Sequence, residues 1–493
     1  MPLESIDLPA PRVKPPSALG EIFSGDRYER VAHALGKAYR DVVRGFRGEI
    51  DNPPDLVAHP RNEDEVERIL DWCAAERIAA IPYGGGTSVV GGVEPRVGEE
   101  FRGAVTIDLG GLASLLDVDS TSRAARIQAG ATGPGLEDQL RQHGYTLRHF
   151  PQSFEFSTLG GWIATRAGGH FATLYTHIDD LVESVRALTP AGIWESRRLP
   201  SSGAGPSPDR MLLGSEGILG VITEAWVRVQ ERPRFKLSRG VAFDSFTAGA
   251  EAVRELSQSG LNPSNCRLLD EAESGLTHAG PPGKALLVLG FESAHHAVDD
   301  GMRIALEVAR DHGGEPSEAT KKKADGSDAV GAWRRAFLAA PYLRDTFVAC
   351  GVLSDTFETA ITWDRFADFH QRVMETARGA IAEACGAPPN GPGSPRLMCR
   401  FTHVYPDGPA PYYTVLCPAR RGGEVEQWDE IKAAVSQTVI EAGGTITHHH
   451  AVGRDHRPWY DRQRPDPFAA ALCGAKRAVD PNGILNPGVL IDG

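Results

Sequence analysis

The sequence predicts an α+β fold with more than one domain, and three observations support this prediction. Its 493 residues exceed the roughly 100–200 residues of a typical single domain. Hydrophobic residues make up 41% and charged residues 24%, an ordinary globular balance that can bury a large core. Short apolar runs typical of buried strands alternate with amphipathic patterns typical of helices. This composition excludes a disordered tail protein, a coiled coil and a disulfide-stapled miniprotein.

Charge and cysteine usage narrow the class further. The formal net charge of -13 disfavours general binding to nucleic acid, so we expect no nucleic-acid partner. The seven cysteines are widely spread and form no C-x-x-C pair, which favours reduced thiols in a cytoplasmic protein over a disulfide framework or a zinc site. The first residues, MPLESIDLPAPRVKPPS, lack the apolar stretch of a secretory signal, and no run approaches the ~18 apolar residues of a spanning helix.

The first elements form a helix and a strand that end in the densest glycine cluster of the chain. After an irregular, proline-rich arm, residues 26–47 predict a helix. Asn62 followed by Glu65 resembles a capping box, and apolar residues then recur at helical spacing. The apolar run 78–81 predicts a buried strand. It leads into residues 82–92, Pro-Tyr-Gly-Gly-Gly-Thr-Ser-Val-Val-Gly-Gly.

Later segments continue the alternation of strands and helices. Residues 104–109 and 124–129 are strand candidates. Gly133-Pro134 then opens a helix that Gly144 closes, since proline suits a first helical turn and glycine suits the position after the last. Between about 235 and 440, strand-like and helix-like runs alternate and predict a second domain.

The glycine cluster is the first candidate for a binding loop. A strand that runs into consecutive glycines can present several backbone N–H groups to a phosphate, because no Cβ blocks the approach. Two common phosphate loops are excluded: the Rossmann pattern requires a glycine where Val89 stands, and no Gly-Lys-Ser/Thr triplet follows for a Walker loop. A tight turn that needs positive φ angles explains the cluster equally well. Turn and phosphate cradle therefore both stay open.

Two later segments add to this signal. Residues 151–169 are rich in hydroxyls and small side chains, and such a segment can lie flat against a planar ring while donating hydrogen bonds. In residues 214–223, glycines punctuate an apolar strand, which marks close backbone approach. Each segment alone is more often structural. The three motifs in this order are much more specific.

Together these motifs resemble the FAD-binding family of vanillyl-alcohol oxidase and p-cresol methylhydroxylase, and within it the alkyldihydroxyacetonephosphate synthase group. The resemblance runs from about Pro54 to the C-terminus. It is strongest in IPYGGGTSVVGG, EFSTLGGWIATRAGG, LLGSEGILGVITEA, DTFETAITWDR and THHHAVGRDHRPW. It implies a p-cresol methylhydroxylase-type (PCMH-type) FAD-binding domain of two subdomains, plus an α/β cap domain that has an antiparallel sheet and binds the substrate.

The resemblance also divides the chain into four segments. We expect an N-terminal helical arm over 1–52 and the FAD-binding domain over 53–233. We expect the cap domain over 234–440. The C-terminal segment, 441–493, is expected to return to the FAD domain and the active site.

The cofactor that the resemblance implies is FAD, with its pyrophosphate wrapped by Pro82–Ser88. Some relatives tether the flavin through a histidine inside the first glycine loop. No histidine lies between Pro82 and Val93, so we expect non-covalent FAD. The residues implied to form the flavin site are Pro82, Tyr83, Gly84, Gly85, Gly86, Thr87, Ser88, Pro151, Gln152, Ser153, Phe154, Glu155, Phe156, Ser157, Thr158, Thr165, Arg166, Ala167, Gly168, Glu216, Gly217, Ile218, Leu219, Gly220, Val221 and Ile222.

A run of three histidines, His448-His449-His450, is the next candidate. On an extended segment the side chains alternate between faces, so the run is a poor tridentate cage and we expect no metal. From the residues alone, a solvated or core role is the more common explanation. The resemblance implies instead that all three are active-site histidines that take part in catalysis.

The resemblance further implies that Tyr412 is the acid/base residue. A phenol with a pKa of about 10 is a weak base unless a neighbouring cation or histidine stabilises the phenolate. Tyr413 is adjacent, so the assignment could be off by one. For either tyrosine, a packed aromatic with a hydrogen-bonded hydroxyl is the structural alternative.

Two arginines match substrate-binding positions. The resemblance implies that Arg344 holds the substrate phosphate and that Arg267 is needed for activity. A guanidinium fork suits a phosphate dianion, and an acidic protein needs a local cation to attract one. Arg400 stands in a similar Cys-Arg context and carries less weight. A surface ion pair is the structural alternative for each.

The implied reaction is alkyldihydroxyacetonephosphate synthesis, a step of ether lipid synthesis. The acyl group of acyl-dihydroxyacetone phosphate is exchanged for a fatty alcohol through a flavin N5 adduct, without net oxidation. The alternative is a FAD-dependent oxidase or dehydrogenase of a 2-hydroxy acid or alcohol, in which an arginine clamps a carboxylate. A non-catalytic flavin-binding protein is disfavoured, because the tyrosine, arginine and histidine set is retained.

Either enzyme would take a small-molecule or lipid substrate that carries a phosphate or a carboxylate. We expect a cytoplasmic homodimer. A lipid substrate favours peripheral contact with a membrane surface, although the sequence has no clear basic amphipathic helix for it.

Overall fold

The computed structural model describes residues 2–175, 177–317, 342–388, 391 and 394–492. Its α-helices are Arg27–Ala32, Tyr39–Arg47, Glu63–Glu76, Gly133–Gln142, Leu159–Thr165, Ala172–Tyr175, Ile178–Leu181, Pro208–Leu212, Phe246–Gln258, Glu271–Leu276, Asp299–Asp311, 342–349, Trp363–Cys385, Glu424–Glu441, Arg457–Gln463 and Asp466–Val479. Short 3-10 helices are Leu3–Ser5, Ser17–Ile22 and Leu109–Gly111.

The strands are Phe23–Ser24, Leu56–Ala58, Ile78–Tyr83, Gly103–Asp108, Leu115–Asp119, Ala124–Gln128, Tyr145–Thr146, Val182–Thr189, Gly192–Glu195, Val221–Arg228, Gln230–Glu231, Phe235–Phe243, Asn265–Leu269, Ala285–Ser293, Glu315–Pro316, Val352–Glu358, Arg396–Val404 and Pro409–Pro418. Helices and strands are thus mixed along the chain, which confirms the predicted α+β class. Within the described residues, none of the helices combines the length and the apolar composition that crossing a membrane requires.

The chain divides into two compact units. The first unit consists of Met1–Ala167, His177–Gln230 and His449–Gly493, and the second of Gly168–Thr176 and Glu231–His448. The segment limits predicted at 53, 234 and 441 stay predictions.

The first unit contains a four-stranded sheet in the order 23–24, 56–58, 103–108, 78–83, with the last three strands parallel. The helix Glu63–Glu76 packs its apolar residues against these buried strands. Its N-cap is Asn62, whose side chain accepts from the Glu65 N–H. The Glu65 carboxylate accepts from the Arg61 N–H rather than returning to Asn62, so the predicted capping box is only half formed.

The helix predicted over 26–47 is wrong in its middle. The structure has two helices there, Arg27–Ala32 and Tyr39–Arg47. Between them the Lys37 N–H donates to the Ser88 carbonyl at 2.6 Å. A Cβ at Gly36 would collide with that same carbonyl oxygen. A tertiary contact has therefore overridden the local helical pattern.

A second sheet of the first unit is five-stranded and antiparallel, in the order 115–119, 124–128, 221–228, 182–189, 192–195. Its core includes the helix Leu159–Thr165, from which Trp162 and Ile163 are fully buried. Ala167, Ile218 and Ile222 also belong to this core, so it includes members of two of the predicted flavin segments, 165–168 and 216–222.

The second unit is built on a seven-stranded sheet. The strand order is 315–316, 235–243, 285–293, 265–269, 396–404, 409–418, 352–358. Every pairing in this sheet is antiparallel, which confirms the antiparallel sheet expected of the cap domain. The strand Pro409–Pro418 lies between two neighbours, so most of its side chains are buried.

Candidate functional site

The glycine loop, residues 84–88, follows the strand Ile78–Tyr83 in the first unit. A Cβ at Gly85 would lie far closer to the Phe156 carbonyl oxygen than van der Waals contact allows. Gly86 has a φ of 62°, in the left-handed region that favours glycine. Two backbones approach each other here at a distance that only glycine permits.

The backbone of this loop fits an anion. Across the described residues, no backbone carbonyl accepts a hydrogen bond from the N–H groups of residues 84–88. The loop is fixed instead through a carbonyl, since Ser88 O accepts from the Lys37 N–H. Amides without a backbone acceptor can donate to phosphate oxygens, and a glycine-rich loop admits them because no Cβ blocks the approach. These residues therefore fit the pyrophosphate of FAD.

The segment before the helix Leu159–Thr165 packs on the glycine loop. A Cβ at Gly84 would collide with the Thr158 hydroxyl, and Thr158 is also the N-cap of that helix. The Trp162 Nε1–H donates to Ser157 Oγ at 2.7 Å. A side-chain cap and a buried indole thus hold this segment in a single conformation.

The turn over 214–218 reaches the same place from a third part of the sequence. The Glu216 N–H donates to the Ala164 carbonyl at 2.9 Å. A Cβ at Gly217 would lie 3.0 Å from Pro82 Cγ. The first unit thus brings together three of the segments predicted to bind flavin.

The Glu216 carboxylate is buried and has a structural role that sequence reasoning did not assign. It accepts from the N–H groups of Val452 at 2.9 Å and Gly453 at 2.8 Å. Burial raises the pKa of Glu216 to about 7, and the two N–H donors oppose that shift. The carboxylate therefore holds the segment that follows His450.

The remaining residues predicted to bind flavin lie in varied surroundings. Phe156 is half exposed, whereas Val221 and Ile222 are buried at the start of a central strand. Arg166 pairs with Asp179, with the Arg166 Nε–H donating at 2.7 Å. Gly168 belongs to the second unit. Which of these residues touch the flavin stays a prediction.

In the second unit, Tyr412 lies in the strand Pro409–Pro418 and is 5% exposed. Its hydroxyl donates to Thr356 Oγ1 at 3.0 Å. The Arg400 guanidinium lies over the phenol ring, with its Cζ 4.0 Å from the ring centroid. Burial, the largest effect, raises the pKa of Tyr412, and the Arg400 cation opposes it.

Tyr413 has entirely different neighbours, since successive side chains of a strand point to opposite faces. It is fully buried, and its hydroxyl forms a hydrogen bond with His370 Nδ1 at 3.1 Å. Its ring stacks on Phe357, with the centroids 4.7 Å apart. Tyr413 thus lies among aromatic rings, whereas Tyr412 lies among charges.

The predicted substrate arginines differ in burial. Arg267 is 2% exposed, so the surface ion pair considered for it does not describe this residue. Burial and, next, the nearby Arg400 cation lower the pKa of Arg267 to about 9. Arg344 lies on the helical segment 342–349, and its charge lowers the pKa of Tyr412.

The structure divides the histidine run between the two units. His448 belongs to the second unit, where its N–H donates to Glu358 Oε2 at 2.7 Å. Its Nε2 forms a hydrogen bond with the Tyr405 hydroxyl at 2.8 Å. His449 and His450 belong to the first unit, with ring centroids 4.8 Å apart.

Several polar residues near Tyr412 and His448 were missed by sequence reasoning. They are Glu273, Thr356, Glu358 and Tyr405, together with Arg400, which carried little weight. One local signal existed for Arg400. The strands Arg396–Val404 and Pro409–Pro418 form a hairpin around Asp407-Gly408, and its register places Arg400 directly opposite Tyr412.

Comparison with known proteins gives two matching family profiles. The profile "FAD linked oxidases, C-terminal domain" matches residues 232–490, and "FAD binding domain" matches residues 54–196. The alkyldihydroxyacetonephosphate synthase of Trypanosoma brucei brucei is 31% identical, over 98% of this chain and 82% of its own. The glycolate oxidase subunit GlcD of Bacillus subtilis (strain 168) is 26% identical, over 89% of this chain and 88% of its own.

Solved structures agree with these matches. A structure of an alkyldihydroxyacetonephosphate synthase superposes with a TM-score of 0.81 at 27% identity, covering 99% of this chain and 87% of that one. Substrate-bound p-cresol methylhydroxylase superposes with a TM-score of 0.75 at 16% identity, covering 96% and 95%, which supports the fold alone. The predicted PCMH-type fold and the FAD cofactor are thereby confirmed.

Proposed function

This chain belongs to the FAD-linked oxidase family, and we propose that within it the protein acts as an alkyldihydroxyacetonephosphate synthase. The observation that carries the proposal is the buried Tyr412, bonded to Thr356 and covered by the Arg400 cation. A buried phenol beside a cation suits a general base better than a phenol among aromatic rings does. The similarity to the trypanosomal synthase, which extends over almost the whole chain, supports the same activity.

The proposed reaction exchanges the acyl group of acyl-dihydroxyacetone phosphate for a fatty alcohol and releases a fatty acid. FAD, when bound, supplies an electrophilic centre for the substrate carbon, with no net redox change. Residues 84–88 would hold its pyrophosphate through backbone amides. Because the net reaction is not an oxidation, it requires no external electron acceptor.

The protein's own residues handle the proton and the phosphate. The Tyr412 Oη accepts a proton from C1 of the substrate. Arg344 and Arg267 supply guanidinium groups for the substrate phosphate, whose negative charge a planar fork matches. His448, held through its backbone N–H by Glu358, together with His449 and His450, moves protons between substrate and solvent.

The alternative activity is oxidation of a 2-hydroxy acid. The similarity to a glycolate oxidase subunit favours it, and the buried Arg267 suits a carboxylate as well as a phosphate. In that reaction a histidine would take the hydroxyl proton, and FAD, when bound, would supply the redox chemistry together with an external electron acceptor.

One pair of assays separates the two activities. Incubating the holoprotein with acyl-dihydroxyacetone phosphate and a labelled fatty alcohol should release one fatty acid for each alkyl ether formed. Anaerobic mixing with a 2-hydroxy acid should leave the flavin absorbance unchanged. Bleaching of the flavin by the hydroxy acid, without any ether product, would overturn the synthase proposal in favour of the oxidase.

The expected non-covalent attachment of FAD has its own test. Acid precipitation of the yellow protein should leave the flavin in the supernatant. Flavin that stays with the precipitated chain would contradict that expectation without affecting the reaction proposed above.

A further inference from the structure

Arg400 covers the proposed base, Tyr412, but takes part in none of the steps proposed above. In the hairpin register its Cα lies directly opposite that of Tyr412, and on its other side it is paired with Leu269. Its guanidinium lies over the Tyr412 ring, with Cζ 4.0 Å from the centroid. Its Nη1 donates to Glu273 Oε1 at 2.7 Å. The guanidinium is therefore held between the Glu273 carboxylate and the Tyr412 ring.

Burial makes these contacts stronger than they would be at the surface. Arg400 is 8% exposed and Glu273 is 5% exposed. An ion pair in such surroundings is weakly screened, and a cation over an aromatic face gains when water is excluded. Breaking one partner of a buried pair leaves the other charge uncompensated. The charge on Arg400 is thus an integral part of the surroundings of Tyr412.

Charged groups act on Tyr412 from both adjacent strands and from the helical segment 342–349. Arg400 on one adjacent strand and Arg344 on the helical segment 342–349 favour the ionised phenol, whereas Glu358 on the other adjacent strand disfavours it. Arg267, one strand further along the sheet, also interacts electrostatically with Tyr412. Of the two cations that lower the pKa of Tyr412, Arg400 has the larger effect.

We propose that Arg400, oriented by Glu273, is the positioning residue that stabilises the ionised form of Tyr412 and so makes this tyrosine an effective base. This inference rests on the function proposed above, because it gives Arg400 a role in the proton transfer assigned there. Arginine suits the role, since its guanidinium stays protonated over the working pH range and stacks flat on a ring. Lysine, a compact point charge, would keep the charge and lose the stacking.

The two members of the pair have opposite expected effects, which a merely structural role would not give. Arg400→Gln removes the cation, so Tyr412 should ionise at higher pH. Glu273→Gln removes the anion that offsets the cation, so Tyr412 should ionise at lower pH. A shift of about one pKa unit would change the phenolate population at a given pH about tenfold.

The test is an alkaline absorbance titration of tyrosinate in the FAD-bound protein. Subtracting the curve of Tyr412→Phe isolates the Tyr412 phenol, and the same variants are assayed for the pH dependence of kcat. We expect Arg400→Gln to move both curves to higher pH, Glu273→Gln to move them to lower pH, and Arg400→Lys to recover most of the wild-type position. Arg303→Gln, at an exposed arginine paired with Glu307, is the matched control and should move neither curve.

Stability is controlled separately. The double variant Arg400→Gln/Glu273→Gln removes both charges of this pair together, so it should retain the fold even where the Arg400→Gln single variant does not. A Tyr412 titration that is unchanged in Arg400→Gln, or in the double variant where the single one is unfolded, overturns this inference whatever the activity. A shifted titration in a protein that forms no alkyl ether overturns the proposed function and leaves the effect of Arg400 on Tyr412 standing.

Discussion

The two units differ in what their candidate residues offer to a ligand. In the first unit, the loop 84–88 and the turn 214–218 contribute mainly backbone, and glycine is needed because backbone or side-chain atoms of other residues lie within contact distance. In the second unit, Tyr412, Arg400 and Glu273 contribute side chains whose charges are buried together. A backbone site depends on conformation, whereas a side-chain site depends on charge. Substitutions in the backbone site should therefore weaken FAD binding, whereas substitutions in the side-chain site should reduce activity.

The largest expected effect is a loss of activity when the side-chain site of the second unit is altered. Tyr412→Phe removes the hydroxyl that accepts the substrate proton, so kcat should fall about 10²- to 10⁴-fold. FAD content should not change, because this substitution leaves residues 84–88 untouched. The measurement is alkyl ether formation per bound flavin.

Tyr413→Phe is the matched control for this substitution. It removes the hydrogen bond to His370 and should cost about 1 kcal/mol of unfolding free energy while activity is kept. If Tyr413→Phe loses activity and Tyr412→Phe keeps it, the assigned base is off by one residue. If both variants stay fully active, neither tyrosine is the base.

A smaller effect concerns stability in the first unit, where the charge state of the buried Glu216 carboxyl should change the free energy of unfolding. The pKa of this carboxyl is raised from 4.5 to about 7, so the folded protein keeps a proton there that the unfolded chain releases. The contribution of Glu216 to the free energy of unfolding is therefore present below about pH 4.5 and is lost as the pH rises through about 7.

Glutamine at position 216 cannot titrate. The free energy of unfolding of the wild type, minus that of Glu216→Gln, should therefore decrease as the pH rises. The decrease should be about 3 kcal/mol at most. Urea unfolding at several pH values in this range measures it. Glu67→Gln, at an exposed carboxyl of the helix Glu63–Glu76, should give a difference without that slope. A Glu216→Gln difference that stays constant with pH would contradict the raised pKa.

Sequence reasoning succeeded where the signal is local. The helix Glu63–Glu76 begins after its predicted N-cap, Asn62, and the strand Ile78–Tyr83 covers the predicted run 78–81. The helix over 26–47 failed because its break at Gly36 serves a contact with Ser88, which is distant in sequence. Local periodicity contains no information about such a contact.

In the candidate site, too, the residues with a local signal could be predicted from the sequence, whereas contacts between distant residues could not. Consecutive glycines are themselves a pattern, so the loop 84–88 is visible in the sequence. Arg400 and Glu273 lie far apart in the chain and meet only through sheet order and hairpin register. A shift of one residue in that register would turn Arg400 to the opposite face of the sheet. The hairpin gives a local signal for its place opposite Tyr412, whereas its pairing with Glu273 requires the fold.

The smallest effect that we predict tests the backbone character of the first unit. In Gly85→Ala the new methyl group would overlap the Phe156 carbonyl oxygen, so one of the two backbones must move. Overpacking of this kind typically costs about 1–3 kcal/mol. If the loop bears that cost, FAD should bind about 10- to 100-fold more weakly. Fluorescence titration of the flavin-free protein with FAD measures the change.

Gly45→Ala separates this effect from a general consequence of replacing glycine. Gly45 lies within the helix Tyr39–Arg47 and has no atom within 4 Å of its would-be Cβ. Alanine there should stabilise the helix by about 0.5–1 kcal/mol and leave FAD affinity unchanged. Wild-type FAD affinity in Gly85→Ala would mean that the close approach to Phe156 is not what shapes the loop. That result would contradict the idea that the site in the first unit depends on backbone conformation.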